Sequence, residues 1–189
     1  PCEAIVEGRL TVVPALEERE EFSLDGMTYE AFNTSGGLGT LASTLEGKVR
    51  TMNYRTIRYP GHVAIMKALL NDLNLRNRRD VLKDLFENAL PATMQDVVIV
   101  FVTVCGTKNG RFMQETYAHK VYAGPVSGRM MSAIQITTAA GITTVLDLLA
   151  QDKLPQKGFV KQEDIGLADF LANRFGQYYA PKESLAKVG

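Results

Sequence analysis

Asn53-Tyr54-Arg55-Thr56-Ile57-Arg58-Tyr59-Pro60-Gly61-His62 reads as a strand that ends in an arginine, turns at Pro-Gly and feeds a helix. The expected helix carries Val63, Ile65, Met66, Leu69, Leu70 and Leu73. Where a strand end opens into a helix start, backbone N–H groups lack intrahelical partners and favour anions. Arg58 beside that opening adds a planar, two-pronged grip suited to a carboxylate or phosphate. The same residues also fit a solvated strand-end arginine and an ordinary first-turn His62. The stretch alone leaves both readings open.

Upstream, residues 3–6 and 9–13 around Gly8 predict a tight hairpin, and residues 21–24 and 27–32 around Asp25-Gly26 a second. Asn33-Thr34-Ser35-Gly36-Gly37 breaks the pattern. Leu38, Leu41 and Leu45 then fit one face of a short helix that Gly47 ends, and residues 48–58 read as one strand. Downstream, helices are expected over residues 62–73 and 78–89, until Pro91. Residues 96–105, with Val97-Val98-Ile99-Val100-Phe101-Val102, predict a strand central in a sheet. Gly106-Thr107-Lys108-Asn109-Gly110 turns it into a partner at residues 111–122. Ser132 with Gln135 forms a capping box for a long helix bearing Ile134, Thr137, Ala140, Gly141, Val145, Leu148 and Leu149. Residues 153–161 read as a loop, and Gln162-Glu163-Asp164 as the start of a last helix near residues 167–175, ended by Gly176. Hairpin-joined strands with interleaved helices point to an α+β fold: a mixed, largely antiparallel sheet covered by helices, in preference to a doubly wound one.

The chain of 189 residues suits one substantial core, read as a single α+β domain over residues 1–189. Basic and acidic residues balance at 21 each, which removes any global electrostatic case for nucleic acid or an anionic membrane. The local cluster Arg76, Arg78, Arg79 and Lys83 is interspersed with Asp72, Asp80 and Asp84 and reads as a solvated helix face. Cys2 and Cys105 stand far apart and make no disulfide framework, so a reducing, cytoplasmic setting is expected. No run of eighteen apolar residues is present, and no membrane span is expected. Pro1-Cys2-Glu3-Ala4 carries neither an initiator methionine nor a signal pattern and reads as the start of a domain cut from something longer.

Gly37-Leu38-Gly39-Thr40-Leu41-Ala42 satisfies the G-x-G-x-x-A form of a dinucleotide fingerprint. Its preceding strand alternates, its helix is short before Gly47, and Arg58 stands at the next strand end where a ribose-holding acid belongs. A Gly-rich turn lining a substrate pocket fits better, with the Thr34 and Ser35 hydroxyls and the Gly36 and Gly37 N–H groups available to a carboxylate. A helix-capping turn with glycine for positive φ fits equally. His62 and His119 are the only histidines, with no metal-ligand spacing around them, so no metal site is expected. Cys105 in its apolar strand reads as inert core, and His119 as a surface residue.

Four stretches taken together go beyond generic physics. Glu30-Ala31-Phe32-Asn33-Thr34-Ser35-Gly36-Gly37, Tyr54 through His62, Gly158-Phe159-Val160-Lys161-Gln162-Glu163, and Ala172-Asn173-Arg174-Phe175-Gly176-Gln177-Tyr178-Tyr179 resemble the C-terminal half of the saccharopine dehydrogenase family. The types it resembles are the glutamate-forming saccharopine dehydrogenase and the lysine dehydrogenase, and the fold implied resembles the C-terminal domain of saccharopine dehydrogenase-like (glyceraldehyde-3-phosphate dehydrogenase-like) enzymes. The resemblance implies an NAD(P)-linked oxidoreductase acting on an amino-acid C–N bond in lysine metabolism, through an imine that is then hydrolysed. It implies that Arg58 clamps a carboxylate of an amino-dicarboxylate-type substrate. Thr34, Ser35, Gly36 and Gly37 would line the same pocket, with Tyr59, Gly61 and His62 shaping it. A general base must take the amine proton and the sequence does not name it; His62 is a candidate by its ordinary pKa, and a structural residue at a helix start fits as well. The glycine-fingerprint half lies outside this chain, so NAD or NADP is expected in the full-length enzyme and no cofactor in this fragment, which is expected to be inactive alone. A homodimer is implied. A non-catalytic dimerisation or small-molecule-sensing domain, and a carboxynorspermidine dehydrogenase-type enzyme, are the competing expectations.

Overall fold

In the computed structural model, which describes residues 2–181, the chain groups into two compact units, Pro1–Pro91 and Ala92–Gly189. In the first unit β1 (Cys2–Val6) pairs antiparallel with β2 (Arg9–Val13). β3 (Glu20–Leu24), β4 (Met27–Asn33) and β5 (Arg55–Arg58) form an antiparallel sheet with β4 in the middle. Asp25 and Gly26 turn β3 into β4 at φ of 52° and 77°, the left-handed pair that a two-residue hairpin needs. Residues 29–33 of β4 are all buried, as suits a strand covered on both faces. The strand expected over residues 48–58 is regular only in β5. The cause is a change of partner: Met52 bridges to Ile5 of β1, and only from Arg55 onward does the segment pair with β4.

α1 (Leu41–Leu45) follows the Gly-rich turn. α2 (His62–Lys67) runs on into a π-turn at Ala68–Asp72, and α3 (Arg79–Ala89) follows. In the basic cluster there, Arg78 pairs with Asp80 and Lys83 with Glu87.

In the second unit β6 (Val97–Lys108) and β7 (Arg111–Tyr122) form one long hairpin, closed by Asn109-Gly110 at φ of 53° and 75°. Two expectations are corrected here. Among the described residues β6 pairs with β7 alone and is not central in a sheet. From Phe101 outward the strand is exposed, so Cys105 is exposed and not core. A small hairpin of β8 (Gly124–Val126) and β9 (Arg129–Met131), turning at Ser127-Gly128, was not foreseen.

α4 (Ala133–Ala150) begins with the expected capping box between Ser132 and Gln135. Asp96 completes that cap, accepting the Ala133 N–H at 2.8 Å and the Ile134 N–H at 3.0 Å. By length and apolarity (mean hydropathy 1.5) α4 would also reach across a membrane. Its Ile136, Ala140, Thr144 and Leu148 are buried, and Tyr179 donates to the Thr137 carbonyl at 2.7 Å. α5 (Leu167–Ala172) is shorter than expected. Gln162–Asp164 forms a separate 3-10 turn instead of opening it, and Gly176 starts another, Gly176–Tyr179, instead of ending it. Gly176 is required there because a Cβ would run into the Phe170 carbonyl. Every pairing is antiparallel and helices are interleaved, the α+β class read from the sequence.

Candidate functional site

The Tyr59-Pro60-Gly61-His62 turn closes with the His62 N–H donating to the Tyr59 carbonyl at 3.3 Å. Proline holds its first central position and Gly61, at φ 98°, its second, as a type II turn demands. The helix start that follows is filled from within. Glu30 of β4, completely buried, accepts the Gly61 N–H at 3.1 Å, the Val63 N–H at 2.7 Å and Arg19 Nε at 2.8 Å. Burial works against the charge, but the Arg19 guanidinium and the two backbone donors outweigh it and hold the Glu30 carboxyl below its ordinary range. The anion at this helix start is therefore the chain's own carboxylate. Sequence reading missed Glu30; the available signal was an acid flanked by the core residues Tyr29, Ala31 and Phe32.

Arg58 lies opposite Glu30 in the β4–β5 ladder. Its guanidinium is exposed and donates to the Ile57 carbonyl at 2.9 Å, with no carboxylate bound among the described residues. Arg55, three residues earlier, ion-pairs with Glu18 and Glu20 and is already engaged. The His62 ring stacks on Phe32 with centroids 6.1 Å apart. Burial and the nearby Arg58 charge lower its pKa, with Glu30 opposing them, so the imidazole is neutral at pH 7. Tyr59 stacks on Tyr29 at 5.7 Å and leaves 58% of its surface exposed.

Opposed residues of an antiparallel ladder share a face. Glu30 with Arg58 and Phe32 with Thr56 therefore face the same way, and the register carried one step past Asn33–Arg55 brings Thr34 opposite Tyr54. Thr34, Gly36, Gly37, Leu38 and Gly39 line a hollow of about 240 Å³ together with Tyr54 and Glu3. Gly37 is fixed by this packing, since a Cβ there would enter the Tyr54 ring. Gly36 has φ 90°, and Ser35 is exposed outside the lining. Arg58 is four residues from Tyr54, about 13 Å along an extended strand, so the turn and the guanidinium stand at opposite ends of one face. The strand before the Gly37-x-Gly39-x-x-Ala42 fingerprint is antiparallel to both neighbours and its helix has 5 residues, unlike a parallel βαβ phosphate site.

A second hollow, of about 420 Å³, lies in the unit Ala92–Gly189 between α4 and α5. Its polar groups satisfy one another. Asp147 accepts Asn173 Nδ2 and Arg174 Nη2, each at 2.7 Å, and Arg174 and Asn173 hold its carboxyl below the ordinary range. The Ala172-to-Tyr179 stretch is thus a clamp on α4, and the sequence did not single out Asp147.

Residues 1–176 match the family model for the saccharopine dehydrogenase C-terminal domain. The chain belongs to that family.

Proposed function

We propose that this saccharopine dehydrogenase C-terminal domain is the substrate-binding and dimerisation portion of an NAD(P)-dependent oxidoreductase acting on the C–N bond of an amino acid in lysine metabolism. The observation that carries the proposal is Arg58. It is an exposed guanidinium that binds no carboxylate among the described residues, held at the end of β5 beside a neutral His62. Its fork suits a substrate carboxylate bidentately. Holding that carboxylate fixes the substrate carbon in place, and orientation supplies much of the rate. His62, unprotonated at pH 7, accepts the proton that the substrate amine must lose. NAD or NADP, bound by another part of the full-length enzyme, supplies the two-electron acceptor.

The dimer surface is assigned to the outer β6–β7 hairpin, where Phe101, Val102, Val104, Phe112 and Met113 are exposed, and the partner is a second copy. The free thiols of Cys2 and Cys105 suit a cytoplasmic enzyme.

The test is steady-state oxidation of lysine, saccharopine and related amino acids by the full-length protein with NAD and with NADP. Turnover of at least one amino acid is expected, with reduction of NAD or NADP and release by water of ammonia or of the amine that was attached to the oxidised carbon. Inactivity across the panel, with sedimentation still giving a dimer, favours the non-catalytic dimerisation domain instead.

A further inference from the structure

We propose that Glu3 makes the hollow beside residues 34–39 a cation site, which receives an alkylammonium group of the substrate against the Tyr54 ring. This deepens the dehydrogenase reading, since it concerns the second charged end of the same amino-acid substrate.

Glu3 is brought to the hollow by strand register. Ile5 and Met52 exchange both backbone hydrogen bonds, Ile5 N–H to Met52 O at 2.8 Å and Met52 N–H to Ile5 O at 3.0 Å. Two residues further out along each segment, Glu3 and Tyr54 oppose one another. Both line the hollow.

The charge of the lining has one sign. Among the described residues Glu3 is its single carboxylate, and no lysine, arginine or histidine lines it. A carboxylate placed here would meet Glu3 at close range, whereas an ammonium gains the same Coulomb energy. The Thr34 hydroxyl and the Tyr54 phenol add acceptors, and an aromatic face attracts a cation.

Glu3 is also unengaged. Among the described residues its carboxylate has no hydrogen bond or ion pair. Every other glutamate of the unit Pro1–Pro91 has a donor, from an arginine, a lysine or a backbone N–H. A volume of about 240 Å³ is smaller than a whole-ligand pocket and takes the end of a chain. Tyr54 and Arg58 share strand parity about 13 Å apart, so an elongated zwitterion with its ammonium at Glu3 and a carboxylate at Arg58 spans the face.

The test is titration of the chain with n-butylammonium chloride, followed by the amide NMR shifts of Gly36, Gly37, Leu38 and Gly39, with sodium butyrate as the parallel probe. Saturable shifts with butylammonium in the millimolar range are expected, with none from butyrate. Glu3→Gln should weaken the response about tenfold, with β1–β2 cross-peaks unchanged, and Arg58→Ala should leave it as it is. Shifts driven by butyrate, the absence of saturable shifts, or equal binding by Glu3→Gln each overturn the proposal. No turnover is involved. Butylammonium binding in a protein without dehydrogenase activity upholds the cation site while the enzymatic reading fails, and an active enzyme whose hollow ignores butylammonium does the reverse.

Discussion

The Glu30 carboxylate, completely buried on β4, accepts the Val63 N–H at 2.7 Å and so ties the central strand of the sheet to the first turn of α2. The same group takes the Gly61 N–H and the Arg19 guanidinium. One side chain thereby sets where Arg58 and His62 stand.

Removal of that carboxylate is expected to be among the costliest single changes in the unit. Glu30→Ala leaves the Gly61 and Val63 N–H groups and Arg19 Nε without their acceptor, Arg19 keeping only its contact to Glu21, and should cost about 3 kcal/mol. Glu30→Gln keeps one acceptor oxygen and should cost about 1–2 kcal/mol. Urea unfolding with an unchanged denaturant slope is the measurement. A shift in either variant below about 0.5 kcal/mol would show that the contact does not organise the fold.

The same group gives a pH dependence with a definite sign. Its folded pKa lies below the unfolded value of about 4.3, so its stabilisation is fully present above that pH. It is lost as pH falls through the folded pKa. The unfolding midpoint of the wild type should fall on acidification below about pH 4.3 more steeply than that of Glu30→Gln. Parallel curves for the two would sink the assignment.

Gly37 and Tyr54 form a coupled pair. Gly37→Ala places a methyl in the Tyr54 ring and should destabilise by about 1–3 kcal/mol. Truncating the ring by Tyr54→Ala removes the collision, so the double variant should be less destabilised than the sum of the singles. Additive effects would mean that the ring does not rest on this glycine.

Asp96 caps α4 from outside the capping box. Asp96→Ala should cost about 1–2 kcal/mol by exposing two orphaned N–H groups, comparable with Ser132→Ala at about 1 kcal/mol. Chemical denaturation of the two variants compares them directly, and a neutral Asp96→Ala contradicts the cap.

Local chemistry made much of the fold legible. The Asp25-Gly26 turn and the Ser132–Gln135 box were readable because each is specified by adjacent residues, whereas the turn expected over residues 106–110 narrows to Asn109-Gly110 because β6 runs on to Lys108. What escaped depends on distant partners. The apolar run in β6 carries no sign of whether a third strand exists, so its exposed outer half could not be seen. Residues 48–58 switch partner at Arg55 without any change of pattern. The helix start at Gly61 looked open to ligands because Glu30, its occupant, lies 31 residues earlier. Arg58 and the turn at residues 34–39 were grouped by motif, and only the register shows them at opposite ends of one face. Glu3 had no sequence signal at all, since its place beside Tyr54 follows from the Ile5–Met52 bridge.

The most direct measurement is the KM of the full-length protein for the amino acid turned over in the proposed dehydrogenase reaction, in Arg58→Ala with Arg58→Lys beside it. Loss of the charge-assisted contact should raise KM about tenfold or more, and loss of the orientation it imposes should lower kcat as well. Arg58→Lys should restore part of the loss, and the unfolding midpoint should not move, because among the described residues Arg58 makes one hydrogen bond, to the Ile57 carbonyl, and no ion pair. A KM unchanged in Arg58→Ala contradicts the placement of the substrate carboxylate on this arginine.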